Sequence, residues 1–197
     1  MPPIEMYYDV ASPYAYLALT RIEDLAARHQ RTLVYKPMLL GKVFEATGNR
    51  MPAAVPAKGK YMMSDLERWA AYYGVPFRFP SVFPVNSKTA QRIAAILPAH
   101  QVGDWARAAA RAYWAENQDI GTPEGLQPAI DALGWQAAPL LEQAESEVAK
   151  TRLRELTEEA VDRGVFGAPS FFVGEAMFWG CDRLGLLEHH LSGARAA

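Results

Sequence analysis

The stretch IEMYYDVASPYAYL (residues 4–17) decides the fold of this chain. Its first half is rich in bulky and aromatic residues, which predicts a buried β-strand. The chain then breaks at Ser12-Pro13 and turns into a helix, because Ser is a favoured N-cap and Pro is tolerated at the first helical position. Ser12 therefore stands where a strand ends and a helix begins, and the unpaired amide groups at such a point favour a neighbouring anion. Capping alone would account for an isolated Ser-Pro pair, so the rest of the chain has to decide whether Ser12 does more.

Hydrophobic periodicity predicts the remaining helices and strands. The first helix should continue to about residue 29, and residues 33–37 should form a second strand. Glycine and proline in residues 41–60 predict a long loop, and residues 75–86 predict a second irregular connection. The expected later elements are helices over 61–73, 87–97, 104–116, 122–133, 137–146 and 146–163, a hairpin of strands 170–173 and 176–179 with a turn at Gly174-Glu175, and a last helix that starts at an Asp182 cap and ends near 191.

The predicted order is βαβ, a helical block and ββα, which is the order of a thioredoxin-like domain interrupted by helices. The expected fold class is α/β, with the first two strands parallel. Residues 1–40 and 155–197 should form the thioredoxin-like domain, and residues 41–154 a loop and an all-helical insertion. That fold places a cis-proline before its third strand, where this chain has Ala168-Pro169. A thioredoxin-like oxidoreductase carries Cys-x-x-Cys where this chain has Ser12-Pro13-Tyr14-Ala15, and one cysteine provides no dithiol to cycle.

Composition and charge argue against several classes of function. The formal net charge is −2 with both signs interspersed, which predicts no nucleic-acid or anionic-membrane surface. No apolar stretch approaches the roughly 18–20 residues that span a bilayer, and the chain starts without the pattern of a secretory signal. A single cysteine fits a reducing compartment, so we expect a soluble, cytoplasmic protein.

Other reactive side chains are better explained by packing. Cys181 follows a predicted strand, where a lone cysteine usually packs as a small apolar residue. His189 and His190 are neighbours on the last predicted helix and point about 100° apart, so they cannot share a metal ion. We therefore expect no metal site. The tryptophans of the helical block, expected to belong to its core, are Trp105, Trp114 and Trp135.

Motifs along essentially the whole chain resemble those of the 2-hydroxychromene-2-carboxylate isomerase family. The most specific are Asp9-x-x-Ser12-Pro13-Tyr14 and Gly167-Ala168-Pro169-Ser170, followed by Phe178-Trp179-Gly180-Cys181-Asp182-Arg183-Leu184. That family is similar to the kappa-class glutathione transferases and, more distantly, to the disulfide oxidoreductase DsbA. The resemblance implies a homodimeric, glutathione-dependent isomerase of aromatic catabolism, in which glutathione brings the sulfur that the protein lacks.

The resemblance also implies how glutathione is held and activated. The Ser12 hydroxyl would donate a hydrogen bond to the sulfur and favour the thiolate, which is the nucleophilic form. The cysteinyl backbone of glutathione would pair with Ala168 before Pro169, as an added strand does. Asp182 would accept from the α-ammonium group, and backbone amides at the start of the last helix would bind the α-carboxylate. The residues implied along the γ-glutamyl end are Trp179, Gly180, Cys181, Asp182 and Arg183.

The family's reaction implies that the thiolate adds to a double-bond carbon of the chromene. The ring then opens, a bond rotates and the thiolate leaves, which gives trans-o-hydroxybenzylidenepyruvate. The substrate carboxylate needs a cation or an amide near Ser12, and the resemblance points to Lys42, Asn49 and Asn86, with Lys58 as a further loop lysine. Ala54 and Val55 stand where members of the naphthalene pathway have polar substrate-facing residues. This difference weakens the assignment of the naphthalene-derived chromene over a related aromatic intermediate and leaves the implied glutathione site intact.

Two other functions remain open from the sequence. A kappa-like glutathione transferase would share the addition step but would conjugate electrophiles, and the segments 41–60 and 75–87 would decide between the two enzymes. A non-catalytic thioredoxin-like module would instead capture extended peptides at Ala168-Pro169.

Overall fold

The computed structural model describes residues 2–193 and contains the four-stranded sheet of the predicted α/β fold. The strands are β1 (Ile4–Tyr8), β2 (Leu33–Pro37), β3 (Ser170–Val173) and β4 (Ala176–Trp179), in the spatial order β2-β1-β3-β4. β1 and β2 are parallel, as predicted, while β3 is antiparallel to both β1 and β4. The βαβ and ββα parts of a thioredoxin-like domain therefore share one sheet, which confirms the predicted fold class.

Helices account for most of the remaining chain. They are α1 (Pro13–Leu19), α2 (Ile22–Arg28), α3 (Leu40–Thr47), α4 (Pro56–Tyr73), α5 (Lys88–Ile96), α6 (Ala99–Trp114), α7 (Pro123–Ala132), α8 (Ala137–Ala144), α9 (Glu147–Asp162) and α10 (Leu184–Leu191), with short 3₁₀ turns at Pro52–Ala54 and Cys181–Arg183. No helix between residues 2 and 193 combines the length and the apolar character needed to cross a bilayer.

The long loop predicted over residues 41–60 is wrong. This segment contains α3, a 3₁₀ turn and the first turn of α4. The residues that suggested a loop instead begin and end these elements: Gly48 ends α3 with a φ of 70°, and Pro52 and Pro56 stand at first helical positions. Proline is tolerated there because its missing N–H would have no intrahelical partner, and glycine is the usual residue for a left-handed helix end.

The first helix and the last one also begin or end differently from the prediction. The helix expected to reach residue 29 is broken into α1 and α2 at Thr20, whose hydroxyl donates to the Leu17 carbonyl at 2.7 Å. Such a side-chain hydrogen bond competes with the helical ladder. Asp182 lies inside the second 3₁₀ turn and pairs with Arg183 at 2.6 Å, so its predicted role as a helix cap is wrong.

The hydrophobic core extends from the sheet into the helical block. Alternate residues of β1 point to opposite faces of the sheet. Met6 belongs to a large buried cluster that includes residues of α1, α4 and α6. Tyr7 belongs to a smaller cluster on the other face, which includes Ala160 of α9. The core role predicted for the tryptophans is confirmed, since Trp105 and Trp114 are fully buried and half-buried Trp135 stacks on Trp105. The division into domains at residues 40 and 155 stays a prediction.

Candidate active site

A cavity of about 670 Å³ opens where the end of β1, the start of α1 and the loop before β3 meet α4. We call it the Ser12 cavity, because Ser12 lies in its wall between Ala11 and Tyr14. Residues that follow β1, precede β3 and follow β4 form one part of its wall, and residues 49–69 form most of the other part. A cavity of this size suits a drug-sized ligand.

Ser12 joins the two sides of this cavity. It is the N-cap of α1, as predicted, and its Oγ accepts from the Ala15 amide at 3.2 Å. The same hydroxyl donates to the Ala168 carbonyl at 3.0 Å. The Ala168-Pro169 peptide bond is cis, as predicted, and Ser12 is only 3% exposed. The hydroxyl is therefore held at the meeting point of the helix start and the cis-proline loop.

Two backbone amides in the cavity wall are free for a ligand. Among residues 2–193, none accepts a hydrogen bond from the amide of Tyr14 or of Ala168. Both residues line the cavity, on either side of the Ser12 hydroxyl. An extended backbone or an anion placed here would find donors without any rearrangement of the chain.

A buried carboxylate fixes the turn that precedes Ser12. Asp9 is 2% exposed and accepts from the amides of Ala11 and Leu40, each at 2.9 Å. Burial raises the pKa of Asp9 above its usual value, while these amides and the Ser87 hydroxyl act in the opposite direction. Asp9 thus ties the start of α3 to the turn that carries Ser12.

Buried donors from the helical block complete this support. The Gln91 side-chain amide donates to the carbonyls of Tyr8 and Met38 at 2.8 and 2.9 Å. The Trp114 indole donates to the Val10 carbonyl at 2.8 Å. The sequence does not reveal that Gln91 binds Tyr8 or that Trp114 binds Val10. Each pair lies more than eighty positions apart, and no local pattern indicates the pairing.

The residues predicted along the γ-glutamyl end of glutathione do form one wall. Trp179, Gly180, Cys181, Asp182 and Arg183 all line the Ser12 cavity. Pro169 is not among the lining residues, although its carbonyl accepts from the Gly180 amide at 2.9 Å and so joins the cis-proline loop to this wall.

Cys181 has no nucleophilic role in this wall. It is 1% exposed, and burial raises the pKa of its thiol to about 12, so the thiol stays protonated at neutral pH. The packing role predicted for this cysteine agrees with its burial.

The wall leaves no room for a side chain at Gly167. A Cβ there would lie 2.4 Å from the Trp179 indole nitrogen, so only glycine lets the indole pack against the loop. The cis-proline loop and the end of β4 are therefore closely packed beside Ser12.

Two of the three predicted substrate residues lie outside the cavity. Lys42 is on the opposite side of α3 from Leu40 and Phe44, which do line it, and its ammonium pairs with Glu45 at 2.7 Å. Lys42 and its neighbours on α3 face different ways because successive helical residues point about 100° apart. Asn86 is exposed, and its Oδ1 accepts from the Lys88 amide at the start of α5.

Asn49 lies in the cavity wall, as predicted. Its Nδ2 donates to the Phe166 carbonyl at 2.7 Å, and its Oδ1 accepts from the Arg50 amide at 2.8 Å. The side chain therefore bridges the end of α3 to the loop before β3.

The cavity also contains two cationic side chains, of which the sequence indicated only Lys58 and missed Arg50. Arg50 and Lys58 both line it, and none of the residues from 2 to 193 forms an ion pair or hydrogen bond with either charged group. Apolar and aromatic side chains surround them: Phe44, Met51, Met62, Trp69 and Phe83. This half of the cavity matches a flat, apolar anion better than a peptide.

An acidic group faces the same half of the cavity. Asp65 accepts from the hydroxyl of Tyr14 at 3.0 Å and from that of Tyr61 at 3.4 Å. Burial and the neighbouring Asp65 carboxylate raise the pKa of Tyr14. The spacing of Tyr61, Asp65 and Trp69, four residues apart on α4, was the available signal that these side chains share one face.

Comparison with known proteins agrees with the resemblance. The DSBA-like thioredoxin domain family matches residues 3–192. The 2-hydroxychromene-2-carboxylate isomerase of Sphingobium xenophagum is 36% identical over 190 residues, which cover 95% of this chain and 97% of the relative. The chain belongs to the 2-hydroxychromene-2-carboxylate isomerase family.

Two further comparisons concern a solved isomerase structure and a kappa-class glutathione transferase. A solved structure of a 2-hydroxychromene-2-carboxylate isomerase superposes with a TM-score of 0.89 at 30% identity, covering 96% of this chain and 94% of that one. The human glutathione S-transferase kappa 1 is 30% identical over 207 residues, covering 95% of this chain and 90% of the relative. The expected similarity to kappa-class transferases is therefore confirmed.

Proposed function

We propose that this chain is a glutathione-dependent cis–trans isomerase. Its substrate would be 2-hydroxychromene-2-carboxylate or a related aromatic-degradation intermediate, and its product trans-o-hydroxybenzylidenepyruvate. The observation that carries the proposal is the Ser12 hydroxyl, held between the start of α1 and the Ala168 carbonyl in a cavity whose other half is aromatic and cationic. Membership of the isomerase family supports the same reaction.

The residues around Ser12 fit glutathione. When bound, glutathione supplies the thiolate nucleophile that the chain lacks. On binding, the Ser12 hydroxyl would turn from the Ala168 carbonyl and donate its one proton to the sulfur, beside the free Tyr14 amide. Hydrogen bonds to the charged form of a group lower its pKa. Ser12 acts here as a donor, because no histidine or carboxylate is hydrogen-bonded to its hydroxyl among the described residues.

The remaining contacts follow from the free backbone groups and the opposite wall. The amide and carbonyl of Ala168 would pair with the cysteinyl backbone of glutathione beside cis-Pro169. Asp182 would accept from the α-ammonium group within the wall formed by Trp179, Gly180 and Arg183. Cys181 would contribute only its backbone, because its thiol is buried and protonated.

For the substrate carboxylate we propose Arg50 and Lys58 in place of Lys42 and Asn86. Both cations line the cavity and lack a protein partner among the described residues, whereas Lys42 is paired with Glu45 outside it. A carboxylate is a natural partner for such cations beside an apolar surface. Asn49 remains a candidate contact from the same wall.

A kappa-like glutathione transferase is the second candidate function. The human kappa-class relative is 30% identical over nearly the whole chain, and a transferase would use the same sulfur site. The two enzymes differ in whether the sulfur leaves the product. A cytoplasmic homodimer belongs to the same proposal, and the single cysteine supports a reducing compartment.

Calorimetric titration of glutathione tests the site directly. We expect saturable binding at one site per chain, weakened at least tenfold by Asp182→Ala, because a hydrogen bond between charged groups contributes roughly 1.5–3 kcal/mol. Asp104→Ala is the matched control, since Asp104 also pairs with an arginine on the surface but lies outside the Ser12 cavity.

Chromene carboxylates would then be assayed with product analysis. Free trans product with glutathione regenerated supports the isomerase, and a stable conjugate supports the transferase. Absence of binding at millimolar glutathione would contradict both enzymes and leave the peptide-binding module as the explanation.

A further inference from the structure

The isomerisation needs a proton to move, and Ser12 cannot move it. When the chromene ring opens, the bond between the ring oxygen and the hemiketal carbon breaks. The hydroxyl on that carbon loses its proton to become a carbonyl, and the released ring oxygen gains a proton to become a phenol. The reaction is balanced without any other reagent, and a group that accepts the proton at one oxygen and returns it at the other would accelerate it.

The lining of the Ser12 cavity offers few groups for this task. No histidine lies in the described part of its wall. The Cys181 thiol and the Tyr14 hydroxyl both have a raised pKa and hold their protons. Of the two carboxylates, Asp182 is paired with Arg183 in the wall proposed for glutathione. Asp65 is the remaining carboxylate, and it lies on α4 beside the substrate half of the cavity.

We infer that Asp65, oriented by the hydroxyls of Tyr14 and Tyr61, is the catalytic group that moves this proton. The two tyrosines contact different oxygens of the carboxylate, which fixes its plane while leaving further acceptor positions open to the cavity. Tyr14 stands two residues after Ser12 in the first turn of α1. The Tyr14 side chain therefore links the Asp65 carboxylate to the turn that carries Ser12. This places the carboxylate where it can reach oxygens of a substrate held beside the sulfur.

This inference rests on the proposed function, so its test has to separate the two. The variant is Asp65→Asn, which keeps the size of the side chain and an acceptor oxygen for one tyrosine. The control is Glu67→Gln, an exposed carboxylate on the same helix outside the cavity. Three quantities are measured for each: kcat for isomerisation, affinity for glutathione, and the absorbance that reports thiolate formation in the glutathione complex.

We expect Asp65→Asn to lower kcat by about 10²-fold or more, the usual effect of removing a general acid–base group. Glutathione affinity and thiolate absorbance should stay within about twofold of wild type, and Glu67→Gln should match wild type throughout. Affinity for the phenolic product should also fall, because the carboxylate accepts from its hydroxyl.

Three results would overturn the inference. A kcat within about threefold of wild type would show that the proton moves without Asp65. A loss of glutathione affinity as large as the loss of kcat would place Asp65 in the glutathione site instead. If wild-type protein binds glutathione but isomerises no chromene, the proposed function and this role fail together, whereas an active Asp65→Asn variant defeats this role alone.

Discussion

Replacing Ser12 with alanine separates its two roles, as a helix cap and as a donor to sulfur. The hydroxyl caps α1 through Ala15 and donates to the Ala168 carbonyl, and the proposed reaction needs the same donor for the glutathione thiolate. Ser146 offers a matched control at the start of α9. Its hydroxyl also accepts from an amide three residues on at 3.2 Å, and it also donates to a carbonyl, that of Gln143.

The expected effect on the sulfur follows from the lost hydrogen bond. A hydrogen bond to a charged group contributes roughly 1.5–3 kcal/mol, which corresponds to a rise of about one to two units in the thiol pKa. A less acidic thiol is intrinsically more nucleophilic, and this recovers somewhat under half of the loss on a logarithmic scale. The net expectation is a rate about 4- to 15-fold lower for Ser12→Ala at a pH below both thiol pKa values.

The sign of the effect changes with pH. Below the thiol pKa, the variant holds less thiolate than wild type and is slower. Above both pKa values the thiolate is complete in each protein, so the rates should converge or cross. Initial rates at saturating glutathione, measured between about pH 6 and pH 10 beside the thiolate absorbance, give the two profiles.

Stability provides the internal control. Each variant loses one cap, which costs about 1 kcal/mol in the free energy of unfolding and about 2–4 °C in Tm. Only Ser12→Ala should lose activity. A Ser12→Ala protein with the wild-type rate at neutral pH, or a Ser146→Ala protein with an equal loss of rate, would refute the role of Ser12 as a donor to sulfur.

Three further predictions follow from individual side chains. Lys58→Ala should raise KM for the chromene about tenfold by removing a partner of its carboxylate, whereas Lys42→Ala should leave KM unchanged in the same steady-state assay; equal effects would contradict the assignment. Cys181 has a thiol pKa of about 12 because it is buried, so mass spectrometry should find it alkylated by iodoacetamide at pH 8 only after unfolding. Burial raises the pKa of Asp9 in the folded protein, so the Asp9 carboxyl of the unfolded chain ionises first as pH rises above about 4. In urea unfolding, the free energy of unfolding of wild type relative to Asp9→Asn should therefore decrease between about pH 4.5 and pH 7. An increase over this range would show that folding lowers the pKa instead.

The parts of the fold that follow local rules could be predicted from the sequence. Residues 4–8 have a strand pattern, Ser12 caps a helix that starts with proline, and the late hairpin lies between turn residues, so all three appear in the structure where they were expected. The segment 41–60 could not be predicted in the same way, because glycine and proline are typical both of loops and of helix ends. Gly48 ends α3 and Pro56 begins α4. What identifies α3 as a helix is tertiary packing, in which Val43 is buried in the smaller cluster with Tyr7.

The site was predictable to the extent that it lies next to these local signals. Ser12 and Ala168 are adjacent to element boundaries that the sequence reveals, so their meeting across the cavity could be expected. Gln91 could not be found, because a glutamine within an amphipathic helix has no sequence mark of its two buried carbonyl partners. The position of Lys42 outside the cavity could not be found for a related reason, because the direction of its side chain depends on a backbone that is helical rather than a loop.

The separation of the cavity into two parts has a consequence for relatives with different reactions. Ser12, Ala168 and Asp182 come from the segments that carry the strands of the sheet, and the contacts of Asp9, Gln91 and Trp114 hold the turn before Ser12 in place. Arg50, Lys58 and Asp65 come from the segment between α3 and the middle of α4, and none of the three belongs to the buried clusters that pack against the sheet. In the proposed reaction, sulfur activation and substrate choice would therefore belong to different stretches of chain. An isomerase and a transferase can share the first stretch and differ in the second, because the fate of the sulfur depends on whether the groups facing the substrate return a proton and let the thiolate leave.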